Sequence, residues 1–178
     1  MHQARNRITH IHNRDGILVE EYMEVNRIVV DFYENLFTQP LSDSDVNIDL
    51  RQMLWNRIGE AEKHVLSRSE SVEEIESVMR GIKMGKAPGS DGFTSEFYRD
   101  PWPVIGSSVI EVVQNFFATT DMPKYFNSTT ITLIPKVNSL VHMKDFKSIS
   151  CCNIIYKCIT TILANRLKGT LDALIGLQ

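Results

Sequence analysis

Residues 129–168 read TTITLIPKVNSLVHMKDFKSISCCNIIYKCITTILANRLK, and the change of period inside this stretch decides the fold class. Thr130, Ile131, Thr132 and Leu133 alternate as a half-buried strand does, with β-branched residues suited to a pleated surface. Pro135 stops the strand because its ring removes the ladder donor, and Lys136 follows at the strand end. A short linker through Asp145 and Phe146 to Ser150 leads to a helix beginning near Asn153. On that helix Ile155, Ile159, Ile162, Leu163 and Leu167 recur at helical spacing and predict the packed face, while Lys157, Thr160, Thr161 and Lys168 fall on the other side. A strand feeding an amphipathic helix, in a chain otherwise rich in helical period, predicts an α+β fold that is predominantly helical.

Upstream, Ile8 and Ile11 precede, and Ile17 and Val19 follow, an Asn-Arg-Asp-Gly turn, so a β-hairpin is expected over residues 6–20. From Glu20 the period changes: Tyr22, Val25, Val29, Phe32, Tyr33 and Leu36 mark an amphipathic helix ending near Phe37. Residues 39–49, with Pro40, Ser42, Asp43, Ser44 and Asp45, read as a polar connector. Residues 50–70 are weakly patterned, with one helix expected around Leu50–Ile58. Ser71 followed by Glu74 is a capping box before Ile75, Val78, Met79 and Ile82, which predicts a helix over Val72–Lys83. MGKAPGSDG, residues 84–92, must be a loop. Thr94 is placed to cap a short helix through Phe97 and Tyr98, and a longer helix follows from Pro103 with Ile105, Val109, Val112, Val113 and Phe116 on one face.

The chain has 178 residues, 43% of them hydrophobic, enough for one ordinary core. No apolar window approaches the length of a membrane span, and MHQARNRITH lacks the apolar region of a signal peptide, so an intracellular chain that avoids membranes is expected. Three cysteines, two of them adjacent, are not a disulfide framework and read as buried thiols. The net charge of −3 is unevenly spread. Residues 1–80 carry nine Lys or Arg against fifteen acids, residues 81–123 three against five, and residues 124–178 seven against two. A polyanion would therefore meet the C-terminal third.

The glycine-rich loop with Lys86 raises the question of a phosphate cradle. A P-loop needs Gly-Lys-Ser/Thr directly before a helix, whereas here the lysine precedes the glycines, which favours an ordinary turn with Asp91 capping or tethering it. His10 and His12 would share a strand face, but no partner ligand pair accompanies them and no zinc site is expected. No nucleophile elbow is present.

Three ordered motifs, KAPGSDGFTSEFYRDPW, TTITLIPK and DFKSISCCNIIYKCITTILANRLKGTLDALI, closely resemble successive motifs of reverse transcriptases from LINE-type, non-LTR retrotransposons, particularly those of plants. RNRITHIHNRDG followed by FYENLF is similar to the segment preceding that polymerase domain. The resemblance implies a right-hand polymerase, an RNA-directed DNA polymerase using Mg²⁺, of which this chain holds the pre-fingers segment and the fingers. Residues 1–38 would be the hairpin and helix ahead of the polymerase domain, 39–70 a connector, and 71–178 a partial reverse transcriptase domain. Family position assigns Lys136 and Lys147 to the triphosphate of the incoming nucleotide, and the basic helix face, Lys157 with Arg166 and Lys168 nearby, would then meet nucleic-acid phosphates. The partners implied are an RNA template, a DNA primer and a dNTP, and a working element would act in the nucleus.

The sequence departs from that family in ways that matter. The usual Arg is Lys147, which keeps charge but loses the bidentate fork. Ser148 and Ser90 stand where prolines are usual, at a loss of backbone stiffness. The palm, with its Tyr-x-Asp-Asp turn, supplies the family's metal-binding carboxylates, and no Tyr-x-Asp-Asp occurs here. Asp91, Asp145 and Asp172 belong to other motifs, so no catalytic or metal residue is assigned and the chain alone is expected not to catalyse. A non-catalytic nucleic-acid-binding module and a decayed element remnant are the competing expectations.

Overall fold

The computed structural model describes residues 8–39, 59–137 and 142–175, with side chains described as far as Leu171. The helix expected at Leu50–Ile58 lies outside the described residues. The chain divides into two compact units, one made of residues 1–47 and 131–150 and the other of residues 48–130 and 151–178.

In the first unit, strands β1 (Ile11–His12) and β2 (Leu18–Val19) pair antiparallel, with Ile11 opposite Val19. The turn between them is built by Asn13, whose Oδ1 accepts the amides of Asp15 at 3.0 Å and Ile17 at 2.9 Å, while Gly16 takes the positive φ the turn requires. Helix α1 (Tyr22–Thr38) follows, started by Glu21, whose carboxylate accepts the amides of Met23 and Glu24. Ile11, Val19 and Val25 form a small core, with Ile8, Ile28 and Met143 packed against it. Hairpin and helix stand as the residue pattern predicts.

The second unit is helical. Helices α2 (Glu60–Ser67), α3 (Val72–Gly81), α4 (Ser95–Arg99), α5 (Trp102–Thr119), α6 (Lys124–Asn127) and α7 (Ile154–Ile175) succeed one another, and α7 packs on α2, α3, α5 and α6. Ser71 caps α3 by accepting the Glu74 amide at 3.2 Å, as expected, but the helix ends at Gly81, with Ile82 already extended. Thr94 occupies the N-cap of α4 without a side-chain bond to its amides. Helix α5 admits Trp102 flat against Gly106, where any Cβ would lie 2.9 Å from the indole. Ile75, Val113, Cys158, Ile159 and Ile162 form the fully buried centre, joined by Val78, Met79, Tyr98, Val109, Ile154 and Ile155.

Strand β3 (Thr129–Pro135) ends at Pro135 as expected, and it pairs with β4 (Phe146–Cys152). The segment expected to be a linker is thus a strand. Its sequence, FKSISCC, has too few apolar residues to show a period, and Phe146 alone is buried. A 3₁₀ turn, Met143–Asp145, precedes it, closed by the Asp145 carboxylate on the His142 amide at 2.9 Å.

The packed face of α7 also differs from the expected one. Ile155, Ile159 and Ile162 are buried, but Leu163 and Leu167 are 40% and 49% exposed. The buried line continues instead through Arg166 and Thr170, four residues apart, so a guanidinium stands where a leucine was expected. Among the described residues no helix is long and apolar enough to cross a membrane.

Candidate nucleic-acid interface

Lys136 and Lys147 both belong to the first unit. The Lys136 amide donates to the Asp145 carbonyl at 2.8 Å and its Nζ to the Lys144 carbonyl at 2.9 Å, which clamps the end of β3 onto the turn that opens β4. Lys147 lies two residues beyond Asp145, exposed on β4. An ammonium held by a backbone carbonyl keeps its whole charge for a ligand, whereas one held by a carboxylate does not. None of the ion pairs among the described residues involves Lys136, Lys147, Lys157 or Lys168.

In the second unit, Lys157 is half-buried in the first turn of α7 and Lys168 is exposed about three turns later. Arg166 differs from both. Its side chain is 4% exposed, and its guanidinium grips Glu74 in a fork, with Nη2 to Oε2 at 2.7 Å and Nε to Oε1 at 3.2 Å. Nη1 donates to the Arg68 carbonyl at 2.8 Å and to Glu70 at 3.3 Å, and the group lies 5.5 Å from the Phe117 ring centre. The Arg166 hydrogen bond holds the Glu74 carboxyl below its ordinary range, and Glu74 in turn raises the guanidinium. A guanidinium so enclosed has no face left for a phosphate. Arg166 is a tie between α7 and the start of α3, and it drops out of the basic helix face expected to meet nucleic-acid phosphates.

The glycine-rich loop is not a phosphate cradle. Gly89 lies so close to α7 that a Cβ there would stand 2.0 Å from Asn153 Oδ1. Asn153, wholly buried, donates Nδ2 to the Tyr125 carbonyl at 2.7 Å and accepts at Oδ1 from Ser90 Oγ at 3.3 Å and the Asp91 amide at 3.4 Å. The Ser90 hydroxyl also meets Ser128 Oγ, so tethering replaces the stiffness a proline would have given. Asp91 Oδ1 accepts the Phe93 amide at 3.1 Å, a loop tether as expected. Gly85 donates to the Glu96 carboxylate at 2.6 Å, a bond that lowers that carboxyl to about 2. Sequence reasoning missed Asn153 as the loop's anchor. The available signal was an asparagine opening an apolar helix with a glycine pair far upstream, and pairing across 64 residues leaves no local pattern.

His12 and His142 sit edge to face, 5.0 Å between ring centres, and Cys151, Cys152 and Cys158 are free thiols, the last buried and pushed up to about 12 by that burial. Among the described residues no three His, Cys, Asp or Glu side chains gather as a metal site.

No family model matches the chain. It is similar to "Transposon TX1 uncharacterized 149 kDa protein" of Xenopus laevis, 26% identical over 174 residues, which is 96% of this chain and 13% of that protein. It is also similar to "Retrovirus-related Pol polyprotein from type-2 retrotransposable element R2DM" of Drosophila melanogaster, 23% identical over 154 residues, 86% of this chain and 13% of the polyprotein. The chain therefore spans about an eighth of the length of the curated relatives it matches, and its similarity is to proteins of transposable elements.

Proposed function

We propose that this chain is the fingers-side segment of an RNA-directed DNA polymerase from a non-LTR retrotransposon. The supporting observation is the similarity to proteins of transposable elements along 96% of the chain, beside the three ordered motifs of its sequence. Lys136 and Lys147 contact the triphosphate of an incoming nucleotide, each fixed near a strand terminus where a rigid cation serves best. Lys157 and Lys168 contact template or primer phosphates, and Arg166 holds the fold.

The whole polymerase uses Mg²⁺, whose role is to neutralise charge on the transferred phosphoryl group. The described residues do not fit that ion: Asp145 closes a turn on His142, and Asp91 tethers its loop. What this segment contributes is charge and position. A non-catalytic nucleic-acid module is the second reading, favoured by the seven basic residues against two acids in residues 124–178.

Fluorescence anisotropy of a labelled 20-nucleotide RNA with the 178-residue chain tests the nucleic-acid contacts. Each phosphate contact adds about 0.7 to the salt slope of log K for a single strand, so K157Q/K168Q should lower the slope by about 1.4. A slope unchanged by this pair removes both lysines from the interface.

A further inference from the structure

The second unit carries a groove that the nucleic-acid interface does not use. Two adjoining cavities, of about 270 and 400 Å³, share Ser108, Val112, Tyr125, Phe126 and Ile155 as common walls beside α5 and α6. The smaller is aromatic, walled by Phe93, Phe97 and Tyr98, and the larger continues past Phe116 and Met122. Asp91 stands at one end, and Glu111 and Asp121 line the other. Among the described residues no Lys, Arg or His lines either cavity, and none of their ion pairs involves the three carboxylates.

Asp91 adds a separate observation. Its Oδ1 accepts the Phe93 amide, but Oδ2 is buried without a hydrogen-bond partner, alone in this among the buried side-chain oxygens and nitrogens of the described residues. A buried carboxylate oxygen without a donor is left without the hydration it had in water, and a cation seated at this end of the groove offsets the Asp91 charge at short range. The neighbouring Tyr98 is raised to about 12 by burial and then by the Asp91 charge. An aromatic wall beside a carboxylate suits a cation on an apolar stem, the chemistry of a lysine or arginine side chain.

We infer that this groove docks a basic amphipathic peptide segment of a partner protein, with apolar side chains on Val112, Phe126 and Ile155 and a lysine or arginine reaching Asp91. Three carboxylates repel nucleic acid, so the groove and the lysine-bearing surfaces take ligands of opposite charge. This inference does not depend on the polymerase assignment.

The test uses the 178-residue chain with isoleucine and valine methyls labelled for NMR, and two 12-residue probe peptides, one of Leu and Lys, the other of Leu and Glu in the same order. The Leu/Lys peptide should shift the Val112, Ile155 and Ile159 methyls and bind at least tenfold more tightly than the Leu/Glu peptide. D91N, nearly isosteric, should weaken it fivefold or more. E111Q/D121N alters only exposed side chains, so it leaves the fold intact, and it should weaken binding and flatten its salt dependence. Equal affinity for the two peptides, or binding indifferent to both variants, overturns the inference. So does a shift of these methyls by RNA in place of peptide.

Discussion

Replacing Arg166 by alanine separates a structural role from a nucleic-acid role more sharply than any other single change. The substitution removes the two-pronged bond to Glu74, the bond to Glu70 and the bond to the Arg68 carbonyl. It leaves two carboxylates, 8% and 16% exposed, with Arg68 as the one cation partner that remains among the described ion pairs, and that on Glu74 alone. Breaking one side of a buried ion pair costs about 3–5 kcal/mol. Glu74 retains some solvent and Arg68 at 3.2 Å, so the lower end of that range, about 3 kcal/mol, applies here. With a urea slope of about 2 kcal/mol per molar, the midpoint should fall by about 1.5 M. R166K should recover part of this, because an ammonium keeps the charge and loses the fork. The assay is urea unfolding followed by helical circular dichroism, beside RNA anisotropy under conditions where the variant remains folded. RNA affinity within twofold of the parent is expected. A midpoint within about 0.3 M of the parent, or a selective loss of RNA affinity without loss of stability, would refute the structural role.

Two further outcomes concern the loop anchor at Asn153 and a third the Arg166–Glu74 pair. N153D should destabilise the chain by about 2 kcal/mol or more near neutral pH, because it turns two donors toward the Tyr125 and Phe126 carbonyls into acceptors, and thermal unfolding against N153A checks it. G89A should be among the most damaging alanine substitutions in the loop, since its Cβ would overlap Asn153 side chain and backbone at 2.0 and 2.5 Å, whereas G81A meets nothing within 4 Å; their unfolding midpoints give the contrast. Glu74 is held below its ordinary range, chiefly by Arg166, so its contribution to stability is present above the unfolded carboxyl value and is lost as pH falls through the folded one. Urea midpoints measured downward from neutral pH should fall less steeply in E74Q than in the parent.

The parts of this fold legible in the sequence are those whose cause is local. The Asn13–Gly16 turn, the Ser71 cap and the proline stop at Pro135 each depend on residues within a few positions of one another. What was not legible depends on distant partners. Strand β4 has little apolar pattern because it gains its order by pairing with β3. Arg166 occupies a core position because Glu70 and Glu74, more than 90 residues away, meet it there, and that displaces Leu163 and Leu167 toward solvent. The candidate site divides the same way. Lys136 was legible as the cation ending a strand, but its clamp on Lys144 and Asp145 appears only when the chain returns. Asn153, buried and fourfold bonded, was read only as a helix start, and its anchoring of residues 89–91 follows from packing.

Whether the strand-end lysines receive a nucleotide triphosphate is tested by titrating dATP into the isotopically labelled chain and following backbone amides by NMR. Saturable shifts are expected at Leu133–Val137 and Phe146–Ser150, largely lost in K136Q/K147Q and not reproduced by deoxyadenosine without phosphates. Shifts spread evenly over other lysine-bearing surfaces, or retained in K136Q/K147Q, would contradict triphosphate binding by these lysines.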